Sequence, residues 1–148
     1  MAYDNNFGGS RDESNSTVTV KIGEKTVDGD LYADQAKRAA EVCDTGSKNG
    51  ANASSQLRRF YDELVMWHDK VFAKQTPQER SDAFREFLPY IQMLRAKAAY
   101  SKGRNLVNET FFHLFDDLIA QVKTPETLKR ARLFFEAFLG FKKYLENK

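Results

Sequence analysis

The sequence predicts an all-α fold: a compact bundle of five or six helices carrying an irregular N-terminal arm. Three observations predict it. From residue 30 onward the apolar residues recur at helical spacing. Two helix starts are spelled out by a threonine followed by proline, at Thr76-Pro77 and Thr124-Pro125. The one alternating segment, TVTVKIG at 17–23, has no convincing partner strand, and an isolated hairpin is marginal in water.

The elements follow in order. The first 16 residues are rich in Gly, Ser, Asn and Asp and read as a disordered tail. Val18, Val20 and Ile22 share one side of the alternating segment, which reads as an extended arm. Residues 1–29 are thus expected to be a flexible arm and 30–148 a single helical domain. Asp30 is placed to cap a helix from Leu31 to about Cys43. After a loop with Gly46 and Gly50, Ser54 or Ser55 opens a long helix whose stripe is Leu57, Tyr61, Leu64, His68 and Val71, flanked by Phe60, Trp67 and Phe72. In TPQE, Thr76 is the N-cap, Pro77 the first helical residue and Glu79 the capping-box acid. This helix is expected to bend or restart near Pro89, which has no N–H for the ladder, and to end at Gly103, a natural C-cap residue. A further helix spans about 106–122, and Thr124-Pro125-Glu126 opens the last one, to about Leu145. The phenylalanines at 111, 112, 115, 134, 135, 138 and 141 fall on broad helical stripes, as core packing requires; bases stack only on exposed rings. No internal repeat is present.

At 148 residues the chain has the length of one domain, and a domain of that size buries roughly 68–70% of its unfolded surface without staples. Its single cysteine, Cys43, excludes a disulfide framework and a paired-cysteine metal site. No apolar run approaches the ~18 residues a membrane span needs, and the first 17 residues lack the basic and apolar regions of a secretory signal. A cytosolic setting and no membrane partner are expected.

Motif chemistry is sparse. His68 and His113 lie on different helices, with no carboxylate or cysteine at metal-ligand spacing. His68 reads as a satisfied core or boundary histidine and His113 as solvent-facing. Asp116 and Asp117 are adjacent, so on a helix they point about 100° apart and do not hold one ion together. Glu41 and Asp44 beside Cys43 raise rather than lower a thiol pKa. No nucleophile elbow, Gly-rich phosphate loop or HExxH is present. The chain is expected not to be an enzyme and to need no cofactor or metal.

Charge is more informative in its placement than in its sum of +2. Residues 1–53 carry six Lys and Arg against nine Asp and Glu, while residues 54–148 carry 17 against 12. Between Glu86 and Glu109 there is no acid, and LRAKAAYSKGRN at 94–105 holds Arg95, Lys97, Lys102 and Arg104. Wound as a helix, Phe87, Ile91, Leu94 and Ala98 make the buried stripe. Arg95 and Lys102 fall on one flank; Lys97, Tyr100 and Arg104 fall on the other with Met93. The second strip suits a phosphate backbone, with an aromatic ring available for stacking. Ala96, Ala98, Ala99, Ser101 and Gly103 permit close approach, either by a ligand or by a neighbouring helix. Arg58 and Arg59 have Asp62 and Glu63 at i+4, which would make them ordinary surface pairs. Both also sit in a first turn, where the helix dipole disfavours cations, which hints at another use.

SSQLRRFYDEL at 54–64, followed by FLPYIQMLRAKAAYSKGR at 87–104, resembles the small subunit of the type III-A CRISPR effector, the Csm complex. The matching positions are Ser54, Ser55, Gln56, Leu57, Arg58, Arg59 and Phe60, then Leu88 and Pro89, then Lys97, Tyr100, Lys102 and Arg104. The likeness covers about 30–148; residues 1–29 have no counterpart in it. The resemblance implies a non-catalytic helical subunit of an RNA-guided ribonucleoprotein in antiviral defence. Its expected partners are target RNA and the guide–target duplex backbone, other subunits, and copies of itself stacked along a filament. Arg58, Arg59, Lys97 and Arg104 are the expected phosphate contacts, followed by Arg95 and Lys102, with Gln56 and Tyr100 as polar or stacking contacts. Two other readings stand beside it. One is a protein-interaction module without nucleic acid, docking through Met66, Arg59 and Lys70. The other is a nuclease using His68 or His113.

Overall fold

A computed structural model describes residues 18–46 and 50–147. Among the described residues five helices make up the bundle: α1 (Asp34–Cys43), α2 (Ser54–Phe72), α3 (Pro77–Gly103), α4 (Glu109–Ala120) and α5 (Pro125–Glu146). The fold is all-α, with no strand among the described residues. Helix α5 is the hub, packed by α1 and α2; α3 lies between α2 and α4. The expected tail at 1–16 lies outside the described residues.

The extended arm holds its predicted alternation. Val20 and Ile22 are buried while Lys21 is exposed. The arm pairs with side chains in place of a second strand. Gln121 takes Ile22 N–H on its Oε1 and donates its amide to the Val20 carbonyl, at 2.9 and 2.8 Å. Arg130 donates to the carbonyls of Ile22 and Glu24 at 2.8 and 2.7 Å. Backbone groups taken from water are thereby satisfied without a sheet.

Helix α1 begins three residues later than the Asp30 cap implies. Residues 28–33 form turns, with Leu31 N–H on the Asp28 carbonyl and Ala33 N–H on that of Asp30, at 3.1 and 3.0 Å. Asp28 and Asp30 both accept from the Gln35 amide, at 3.0 and 2.9 Å. The side chain expected to cap the backbone is thus spent on a side-chain amide, and α1 starts at Asp34 after Ala33, which gives no side-chain cap.

Helix α2 starts at Ser54, as its sequence predicts, but its cap arrives from the far end of the chain. Glu146 Oε2 accepts from Ser54 N–H at 2.8 Å and from its hydroxyl. The same carboxylate is 3.6 Å from Lys142 Nζ, and Lys142 is buried to 1% exposure, with Asp44 at 3.9 Å. The last turn of α5 therefore pins the first turn of α2.

Helix α3 opens on the predicted box: Glu79 N–H donates to Thr76 Oγ1 at 3.1 Å and Thr76 N–H to Glu79 Oε1 at 3.2 Å. It then runs through Pro89 as one helix. Pro89 and Arg85, whose carbonyl loses its partner, both face solvent, where water can serve that carbonyl. The helix ends at Gly103, but the left-handed residue is Asn105, with φ of 64°. Leu106 N–H bonds the Ser101 carbonyl and Asn105 N–H that of Lys102, each at 3.0 Å. This is the Schellman closure, with asparagine in the position where glycine is commonest.

Helix α4 starts at Glu109 because Asn108 Oδ1 accepts from Phe111 N–H at 3.0 Å. Helix α5 opens on Thr124 and Pro125 as predicted, with Thr127 completing the box. Phe111, Phe115, Phe134, Phe135 and Phe138 are all fully buried, and Phe60 of α2 meets Phe115 at 5.0 Å between ring centres. The phenylalanine stripes are the core. Each such ring contributes about 1.5–3 kcal/mol on burial.

Candidate nucleic-acid interface

Between the N-terminal half of α2 and the C-terminal third of α3 runs a groove of about 440 Å³. Gln56 and Arg59 line one side, Lys97, Tyr100 and Arg104 the other; Phe60, Met93, Ala96, Ser101 and Leu106 complete it. The crossing of α2 and α3 brings the two halves together, because Leu57, Phe60 and Leu64 of one helix and Ile91, Leu94 and Ala98 of the other are buried in the same core. The flanking positions of both stripes then face each other across open solvent. Ala98 packs into the core, while Ala96 and Ser101 lie in the groove and keep it open.

The cations near this groove differ sharply in availability. Glu63 lies one turn beyond Arg59 but pairs across the helix boundary with Lys97, at 2.8 and 3.0 Å, and also accepts from Trp67 Nε1 at 3.4 Å. Arg59 is left exposed with no side-chain partner among the described residues. Arg104 is exposed too; its guanidinium makes no ion pair among the described residues and sits 5.8 Å from the centre of the Tyr100 ring. Tyr100 is 66% exposed, so its ring is offered to solvent.

The remaining predicted contacts lie elsewhere. Arg58 is turned out of the groove: it pairs with Asp62 at 3.1 Å and lies 5.6 Å from the Tyr61 ring centre. Arg95 grips Asp116 of α4 with two bonds, at 2.8 and 3.4 Å, and that bonding raises its pKa further above the ordinary value. Lys102 meets Glu109, the first residue of α4, at 3.1 Å. Its hydrogen bond holds the Glu109 carboxyl below the usual range. The structure therefore brings five of the eight predicted residues, Gln56, Arg59, Lys97, Tyr100 and Arg104, to one groove and leaves Arg58, Arg95 and Lys102 outside it.

Two residues behind the groove carried no signal in the sequence. Asn52 is fully buried at φ of 65°, and its side chain bonds Asn108 in both directions, at 2.8 and 2.9 Å. Nothing in an isolated asparagine announces a left-handed backbone or a partner 56 positions away.

The other candidate chemistries lack a shared site. His68 is a boundary residue stacked on Phe72 at 4.6 Å, with Nδ1 3.0 Å from Asp69 and Nε2 buried without a partner. The expectation of a fully satisfied histidine is corrected at that one nitrogen. His113 is exposed on α4, 2.6 Å from Glu109. Of the residues expected to dock a protein, Met66 and Lys70 are exposed on α2, while Arg59 lies in the groove. Burial pushes the Cys43 thiol up to about 12, with Lys142 acting against it. The direction is as expected from the sequence, but the cause is desolvation rather than the neighbouring acids. No group of three or more metal-ligating side chains forms among the described residues, and no described helix is long and apolar enough to cross a membrane.

No curated protein and no solved structure matches the chain. A family model does: Csm2 Type III-A, over residues 30–148. That span contains all five described helices and all of the groove. The chain belongs to the Csm2 type III-A family, and with it to the small subunits of the type III-A CRISPR effector, the Csm complex.

Proposed function

We propose that this chain is a non-catalytic, cytoplasmic subunit of the Csm effector that holds the phosphate backbone of target RNA, or of the guide–target duplex, in the groove between α2 and α3. The observation that carries the reading is that Arg59 and Arg104, from separate helical elements, face one groove with no carboxylate of their own among the described residues. Tyr100 supplies a ring beside Arg104, and Lys97 a third cation once Glu63 is displaced. Sequence is read by guide pairing, so the protein need only follow a charged chain, as in other RNA-guided effectors. Copies stacked along the filament add their weak contacts by avidity.

The test is the assembled effector carrying Arg59→Ala and Arg104→Ala, titrated with target RNA at two salt concentrations. Single-stranded contacts release about 0.7 counterion each, so a fourfold rise in salt weakens binding roughly sevenfold for two contacts. The double variant is expected to bind on the order of 150-fold more weakly, at about 1.5 kcal/mol per charged contact, and to lose that share of the salt slope. Intact assembly with unchanged affinity would falsify the assignment.

The interaction-module reading has one observation in its favour. Tyr90 and Met93 are 52% and 53% exposed, and Met66 is 41% exposed on the neighbouring helix. Loss of assembly in Tyr90→Ala/Met93→Ala, with the arginine variant fully active, would favour it.

A further inference from the structure

Resting on that reading of the groove, we infer that Asn52 is its positioning residue: knotted to Asn108, its buried side chain sets the register between Arg59 and Arg104. The two guanidiniums stand on different helices, and no contact between them holds their spacing. What lies behind them does. Asn52 comes two residues before α2, and its N–H donates to the carbonyl of Leu106, two residues after Arg104, at 3.0 Å. Its amide nitrogen donates to Asn108 Oδ1 at 2.8 Å and to the Cys43 carbonyl at 3.0 Å. Its Oδ1 accepts from Asn108 N–H at 2.9 Å. One side chain thereby ties the end of α1, the lead-in to α2 and the α3–α4 loop.

The bonds form a closed set. Asn108 Oδ1 also caps α4 through Phe111 N–H, and the α3–α4 loop is already tightened by the Schellman closure at Asn105. Asn52 is fully buried, so each of its polar groups must be paired within the protein. Its left-handed backbone is one that asparagine tolerates better than other side-chain-bearing residues. Removing the amide leaves α2 anchored at Ser54 by Glu146, because that contact belongs to α5. It loosens specifically the link between the α2 wall and the Arg104 loop.

Asn52→Gly keeps the left-handed backbone and deletes only the side chain. Asn108→Ser keeps a helix-capping hydroxyl and shortens the partner, and it carries the test if the first variant does not fold. The first readout needs no RNA. In the full chain, nitroxide labels at Arg59→Cys and Arg104→Cys report the distance across the groove, Cys43 being fully buried. A single narrow distance distribution is expected, broadened or shifted by Asn52→Gly or Asn108→Ser; a distribution that neither variant changes overturns the inference. The second readout is target-RNA affinity of the assembled effector. Asn52→Gly is expected to weaken it several-fold in the parent chain and less than twofold when Arg59 and Arg104 are already alanine. A several-fold effect that persists without the arginines means that Asn52 supports assembly rather than the groove, and overturns the inference. If the arginine variant alone leaves affinity unchanged while the label distances respond to Asn52, the RNA-binding reading fails and the clasp stands as a structural device only.

Discussion

Helix α3 presents two flanks that carry similar charge and meet different fates. On the flank toward α4, Arg95 and Lys102 find Asp116 and Glu109 waiting at 2.8 and 3.1 Å. On the flank toward α2, Arg104 meets no carboxylate among the described residues and Lys97 shares Glu63. Arg59, which the sequence pairs with Glu63, loses it to Lys97. The acid-free stretch from 87 to 108 is thus neutralised along one edge by acids that lie beyond its end. Its positive character survives on the edge facing α2, where Glu63 is spent on Lys97 and Arg59 and Arg104 form no ion pair among the described residues. Local charge in a sequence shows how many cations exist; the packing partner settles how many are available.

Three changes break or sharpen that contrast. The largest effect is expected at the anchor of the α2 wall. Glu146→Ala leaves Lys142 buried with only Asp44 at 3.9 Å, and removing one partner of a buried pair costs about 3–5 kcal/mol. Urea denaturation of the full chain measures it; a loss below about 1 kcal/mol would show that the wall does not depend on this anchor. The same carboxylate gives a pH signature. Burial pushes Glu146 up, but the Ser54 bonds and the nearby Lys142 and Lys143 outweigh it, and the carboxyl sits below the ordinary glutamate value of 4.5. A depressed folded pKa contributes stability that is full above the unfolded value and is lost as pH falls through the folded one. Wild-type melting temperature should therefore drop as pH falls below about 4.5, and the Glu146→Gln variant should show a shallower drop over the same window.

A smaller effect, of opposite sign, is expected at Glu63. Glu63→Gln releases Lys97 into the groove and adds one phosphate contact, steepening the salt dependence of RNA binding by about 0.7 in the log–log slope. Unchanged slope and affinity would show that Lys97 faces the groove without serving it. The smallest effect belongs to the α4 flank. Arg95→Ala/Lys102→Ala is expected to change RNA affinity by less than about twofold, since neither cation lines the groove. It should cost about 0.2–1 kcal/mol per exposed pair in stability. A tenfold loss of RNA binding would erase the distinction between the flanks and restore both residues to the site.

Much of this molecule is local and was therefore readable. Helical period, the Thr76 and Thr124 caps, and the phenylalanine stripes each depend on residues within about four positions of one another. So does the sorting of the four bases onto two flanks, which the structure reproduces. The errors are where local rules compete. Asp30 was free in principle to cap a backbone, but Gln35 took its carboxylate. Gly103 had the composition of a C-cap, but the turn closed two residues later on Asn105.

By itself the sequence determined the fold class, a bundle of five or six helices with their approximate limits, a phenylalanine core and the resemblance that the family match bears out over 30–148. Only the tertiary structure decided which cations remain unpaired and what holds them apart. The reason is distance along the chain. Lys97 and Glu63 are separated by 34 positions, Arg95 and Asp116 by 21, and Asn52 and Asn108 by 56. Helical periodicity assigns each side chain a direction on its own helix, but a pair forms only where two helices cross, and the crossing is set by the whole core.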